Sequence, residues 1–198
     1  MVTVEELFKR LEQLNAVGAA LSQERDINAL LDKILHAAKH ITNADGGTLY
    51  RITDGDKLNF EILLNDTLNI RLGGTSGNPI TFYPIKLYDD DGKPNRNMVA
   101  AYAALTGDTV NIADAYTAEG FDFTGTRAFD GKTGYRSTSF LTIPMRDHEN
   151  EIIGVLQLLN RMDPGSGKVT TFSDADQRLA ESLASQAEIG RASCRERV

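Results

Sequence analysis

Apolar positions recur at threes and fours over residues 4–21: Val4, Leu7, Leu11, Leu14, Gly18 and Leu21, widened by Phe8 and Val17. That rhythm predicts a helix with a narrow, heptad-like stripe. Such a stripe either packs on its own domain or meets a second chain, and the pattern leaves both open. A broader stripe follows. Asp26 is placed to cap a helix whose apolar face runs through Ile27, Leu30, Leu31, Ile34, Leu35, Ala38 and Ile41. Asn43-Ala44-Asp45-Gly46-Gly47 supplies the stop. The period then shortens. GGTLYRI and KLNFEILL flank Thr53-Asp54-Gly55-Asp56, whose Asp-Gly step predicts a tight turn and an antiparallel hairpin.

Residues 67–97 mix glycine, proline and scattered apolar positions, which predicts extended structure with a mobile loop at 89–94. MVAAYAALTG reads as a short helix ending at Gly107, and DTVNI as a short strand. Residues 113–134 predict irregular structure with one helical turn near Arg127. STSFLTIPM and EIIGVLQLLN read as two strands joined at Glu149-Asn150, and a last helix starts at Ser173 and runs through Leu179, Leu183 and Ala187. The order of elements predicts an α+β fold: an antiparallel sheet with helices on one face and ligand-sized loops on the other.

Composition narrows the function classes. The 198 residues fit one ordinary domain with helical extensions, and 41% hydrophobic residues can form a core. A net charge of −7 with both signs interspersed argues against a nucleic-acid surface, which needs a basic stripe. No apolar run reaches the length of a membrane span, and charges occupy the N-terminus where a signal peptide is apolar. Cys194 stands alone, so no internal disulfide or cysteine metal cluster is available. The natural reading is a soluble cytoplasmic protein or the cytoplasmic part of a larger one.

Several tempting motifs fail on spacing. His36 and His40 have a zinc-compatible interval, but they fall off the apolar stripe and the metalloprotease glutamate is missing. GSGK at residues 165–168 is no phosphate loop: Met162 stands where the first glycine is needed, and Val169 follows the lysine. Ser137 and Ser139 lack a nucleophile elbow, and Asp89-Asp90-Asp91 lacks calcium-loop spacing. No catalytic set emerges.

Three stretches carry a resemblance: DTVNIADAY, FDGKTGYRSTSFLTIPM and EIIGVLQLLNR. Over residues 27–187 the chain resembles GAF domains, the small-molecule sensor modules of signalling proteins. The best match is to those linked to cyclic-nucleotide phosphodiesterases, adenylyl cyclases and cyclic-dinucleotide phosphodiesterases of the HD-GYP type. Cyclic-nucleotide-binding members carry Asn-Lys, a spacer, then Phe-x-x-x-Asp-Glu. Here Asn160-Arg161, a ten-residue spacer, Phe172 and Asp176-Gln177 stand in those places, so lysine has become arginine and glutamate glutamine. The resemblance implies an ion pair beside the pocket, which Arg161–Asp176 can keep with a two-pronged grip. On residues alone, the same stretch is a strand end, a turn and a capped helix start.

The resemblance also implies a ligand site. Thr48 would offer a hydroxyl to a base, and Met98 and Val99 would line the pocket. Asp130 would approach through its backbone amide. Thr133 and Ser137 would offer hydroxyls to phosphate or ribose. Gln157 would read a purine edge, since an amide both donates and accepts. Arg127 and Arg136 are the nearest charge partners for a phosphate. The plain alternatives are a turn at Thr133-Gly134 and an outward strand position for Gln157. The implied ligand is cyclic AMP or cyclic GMP, with no cofactor or metal required. The implied organisation is residues 1–25 as a dimer or linker helix, 26–187 as the sensor, and 188–198 as residues of cloning origin. The sensor would form a homodimer through its terminal helices and control an attached cyclase or cyclic-dinucleotide phosphodiesterase. A ligand-free dimerisation module is the competing reading. An enzyme that reduces methionine sulfoxide, a third member type, needs reactive cysteines within the domain.

Overall fold

The structure, a computed structural model, describes residues 3–24 and 26–195, with side chains other than those of residues 6, 22 and 187–195. The side chains of Cys194 and of the departing tail therefore lie outside what is described. In chain order the elements are α1 (Val4–Gln23), α2 (Ile27–Thr42), β1 (Ala44–Thr53), β2 (Lys57–Asn65), β3 (Ile70–Gly73), β4 (Ile85–Lys86), α3 (Val99–Thr106), β5 (Val110–Ile112), α4 (Thr124–Thr133), β6 (Phe140–Arg146), β7 (Ile152–Met162), β8 (Val169–Thr170) and α5 (Asp174–Arg195).

The strands make one antiparallel sheet in the order β3-β2-β1-β7-β6-β5, with β4 on β2 and β8 on β7. The α+β class expected from the pattern is the class found. Alternation along the central strands divides two cores. Leu49, Leu156 and Leu158 enter one with α1, α2 and α5, whereas Tyr50 and Val155 enter the other with α3. A third cluster joins Val99 and Ile112 to Phe123 and Phe140 beside α4.

Local chemistry sets the element ends. Asp26 accepts N–H bonds from Asn28 at 2.8 Å and Ala29 at 3.0 Å, capping α2. The β1–β2 turn uses Asp54 and Gly55 at φ 55° and 77°, the left-handed pair that a tight hairpin demands. Ser173 Oγ accepts the Asp176 N–H at 3.2 Å and so caps α5.

Three expectations are corrected. The α2 stop is Asn43, at φ 54°, and Gly46 and Gly47 already belong to β1. Packing explains the glycines, since a Cβ on Gly47 would lie 2.7 Å from Leu35 Cδ1. Residues 124–133 form a ten-residue helix rather than a single turn. Gly125 and Gly131 weaken its local signal; burial of Phe123 against Phe140, with ring centroids 5.7 Å apart, anchors its start. The acidic segment at 89–94 is a bonded turn, in which Asp89 Oδ1 accepts from the N–H groups of Asp91 (3.0 Å) and Lys93 (2.8 Å).

Candidate functional site

A cavity of about 400 Å³ lies between the sheet and the α3/α4 side, the size of a small-molecule pocket. Its walls carry several aromatic rings, Phe60, Phe82, Phe123, Phe129 and Phe140 among them. Phe60 packs on Tyr50 at 4.8 Å and on Phe82 at 5.4 Å between ring centroids. Polar atoms enter from the strands. Thr48, Gln157 and Thr142 sit opposite one another across β1, β7 and β6. The Gln157 side chain accepts from Tyr50 Oη at 3.1 Å and donates to Thr142 Oγ1 at 3.0 Å. That leaves one acceptor lone pair and one amide N–H of Gln157 for a ligand. Burial pushes the Tyr50 phenol far above its usual range, so it stays a neutral donor.

Of the residues expected at a ligand site, Thr48, Met98, Val99, Ser137 and Gln157 line this cavity. Gln157 therefore faces the pocket, not solvent. Asp130 and Thr133 lie outside the wall. The Asp130 side chain is buried and holds the following loop: it accepts from Ser137 N–H (2.8 Å), Ser137 Oγ (2.7 Å) and Tyr116 Oη (2.7 Å). That bond is the first cause of the raised Tyr116 pKa. Thr133 Oγ1 donates to Phe129 O at 2.9 Å at the exposed end of α4. Arg127 and Arg136 are directed at the Tyr116 ring, 5.7 and 3.9 Å from its centroid, and neither lines the cavity.

Among the described residues, the lining includes no lysine or arginine. The α4 N-terminus stands in that place. Gly125 and Thr126 belong to the wall, and first-turn N–H groups have no intrahelical acceptor. Asp122 Oδ1 takes the Thr124 N–H at 2.8 Å. The side-chain and backbone bonds from Thr124 hold the Asp122 carboxyl below its usual range.

Beyond the Ser137 wall, Asn160 and Arg161 do separate work. Asn160 is buried at φ 52°. Its Oδ1 accepts from Thr138 N–H (2.7 Å) and Ser139 N–H (3.2 Å), while its Nδ2 donates to Arg136 O (2.7 Å) and Tyr135 Oη (2.9 Å). Tyr135 Oη in turn donates to Asp45 Oδ2. Arg161 Nε meets Asp176 Oδ2 at 2.7 Å, and its Nη1 meets Thr170 Oγ1 at 2.9 Å. Phe172 is buried in the α2/α5 core. The ion pair expected from the motif is thus formed, but through Arg161 Nε alone and not as a two-pronged grip, because Nη1 turns to Thr170 Oγ1.

The GAF domain family model matches residues 26–190, most of the chain. The chain belongs to the GAF domain family. Dual 3',5'-cyclic-AMP and -GMP phosphodiesterase 11 of Drosophila melanogaster is 28% identical over 162 residues, covering 82% of this chain but only 10% of that protein. Among solved structures, the GAF domain of a phosphoenolpyruvate-protein phosphotransferase from Coxiella burnetii aligns with a TM-score of 0.66 at 15% identity, over 96% of this chain and 97% of that one. Free methionine-R-sulfoxide reductase from Neisseria meningitidis, in complex with its substrate, aligns with a TM-score of 0.62 at 17% identity, over 98% and 96%. These structural likenesses establish a shared GAF fold, one that an enzyme also uses.

Sequence reasoning missed much of this GAF pocket. Tyr50 and Phe60 were within reach, because the hairpin's alternation puts Thr48 and Tyr50 on one face. Phe82, Phe123 and Phe129 come from segments with no period to read. Arg10, which reaches Asp176, gave no signal at all.

Proposed function

We propose that this GAF domain is a regulatory sensor that binds a cyclic nucleotide, cyclic AMP or cyclic GMP, in the cavity above Gln157. The observation that carries the reading is the cavity itself: aromatic walls suited to a planar purine, a donor–acceptor pair on Gln157 at the floor, and helix-terminal N–H groups for the cyclic phosphate. Thr48 would add a hydroxyl for the base, and Met98 and Val99 would close the apolar wall. Ser137 would meet the ligand while Asp130 positions it. Thr133 would act only through the end of α4. Asn160, Arg161, Phe172 and Asp176 would support the wall rather than touch the ligand. The cyclic-nucleotide phosphodiesterase relative supports this ligand class.

The domain would act without catalysis of its own, controlling an output domain in a longer cytoplasmic protein. Ligand binding does this only through different affinities for two arrangements of the helices. A second reading, a ligand-free dimerisation module, draws on α1, where Val4, Leu7, Phe8 and Leu11 are 73, 43, 65 and 43% exposed. The two readings share the homodimer.

Calorimetric titration of ligand-free protein with cyclic AMP, cyclic GMP and other purine nucleotides separates them. The sensor reading expects saturable binding of a cyclic nucleotide, weakened about tenfold or more by Gln157→Leu, which removes both hydrogen-bonding atoms. A flat response across the panel favours the dimerisation module.

A further inference from the structure

The Asp176 carboxylate is fully buried and accepts four hydrogen bonds. Three come from Arg161 Nε at 2.7 Å, Ser173 N–H at 2.9 Å and Ser173 Oγ at 2.7 Å. The fourth comes from Arg10 Nη1 at 3.0 Å, and Arg10 sits on α1, outside residues 26–190 of the family match. The Arg10 side chain is only 15% exposed.

The apolar part of the α1 anchor lies toward its C-terminal end. Leu14 and Leu21 are in the core, whereas Val4, Leu7, Phe8 and Leu11 are exposed. Apolar packing is non-directional, but a charge-assisted bond into a buried carboxylate fixes a geometry. Arg10 thus makes a directional contact from the half of α1 whose apolar residues are exposed. Asp176 also leads back toward the pocket. Arg161 N–H donates to Ser139 Oγ at 3.2 Å, Asn160 grips Thr138 and Ser139, and the adjoining Ser137 lines the cavity.

We propose that Arg10 is a positioning residue that pins the N-terminal half of α1 to Asp176. The helix then takes its orientation from the carboxylate that Arg161 holds behind the pocket wall. Movement of that wall by a ligand rests on the sensor reading; the pin does not.

Hydrogen–deuterium exchange on the full chain tests the pin. Arg10→Gln leaves Asp176 with Arg161 and both Ser173 donors, so the domain stays folded. Exchange across residues 8–16 is expected to accelerate about tenfold, while β1 and β7 hold near wild type. Arg10→Lys, which restores a charged donor, should recover most of the protection. Unchanged α1 exchange in Arg10→Gln overturns the proposal. So does equal acceleration in β1 and β7, or no recovery with lysine. A second arm adds cyclic AMP or cyclic GMP at saturating concentration. Altered α1 exchange in wild type, lost in an Arg10→Gln protein that still binds, supports the coupling. Binding to wild type with α1 unchanged overturns the coupling. Failure of wild type to bind either nucleotide counts against the pocket reading alone, and the first arm still decides the pin.

Discussion

Asp176 concentrates more consequence than any other charged residue near the pocket, because two arginines share one buried carboxylate. Asp176→Asn leaves Arg10 and Arg161 facing a neutral group in low dielectric. The expected loss is about 3–5 kcal/mol, read from urea unfolding. Asn160 is harder to replace than its small size suggests, since it serves two donors and two acceptors. Two phenols, the buried Tyr50 and the half-buried Tyr135, make a different forecast. Burial is the first cause raising both Tyr50 and Tyr135 above the ordinary 10.0. Above pH 10.0 the unfolded chain ionises first, so stability is full below that pH and falls as pH rises. The expected slope approaches about 1.4 kcal/mol per pH unit for the buried Tyr50; the half-buried Tyr135 contributes less, because solvent screens its charge. Denaturant midpoints across the alkaline range measure it, and Tyr50→Phe should remove one tyrosine's share.

At the scale of elements, β7 is the axis of the fold, pairing with β1, β6 and β8. Its glycine follows from that position. A Cβ on Gly154 would lie 2.3 Å from the Tyr50 carbonyl oxygen, a backbone atom that cannot swing aside. Gly154→Ala should cost roughly 2–3 kcal/mol and lower the thermal midpoint. The element least visible beforehand is α4. Its glycines argue against a helix, yet its first turn faces the cavity. Weak intrinsic propensity there is consistent with a segment whose order depends on tertiary contacts.

For the whole molecule, α2 and α5 cover one face of the sheet with α1 packed on those two helices, and the pocket occupies the other face. The N-terminal stripe is split between these roles: Leu14 and Leu21 are buried within the chain, while Phe8 and its neighbours face outward. The sequence pattern left domain packing and chain pairing open, and this division is compatible with both. Phe8→Glu together with Leu11→Glu removes apolar contact from the outward half alone. For the proposed homodimer, light scattering should then show dissociation shifted upward by about tenfold or more in concentration, with the thermal midpoint of the monomer little changed.

Periodicity by itself determined α2, the β1–β2 hairpin and the β6–β7 pair, because each repeats a local rule over enough residues to be read. The Arg161–Asp176 pair was legible only through the resemblance to GAF domains that carry Asn-Lys and Phe-x-x-x-Asp-Glu; the residues alone read as a strand end, a turn and a helix start. Only the tertiary structure decided which aromatic residues surround the cavity and that Asp130 faces Ser137. It likewise decided that Arg10 joins Asp176 from 166 residues away. Those contacts depend on how separate segments meet in space, and burial, not local sequence, selects them.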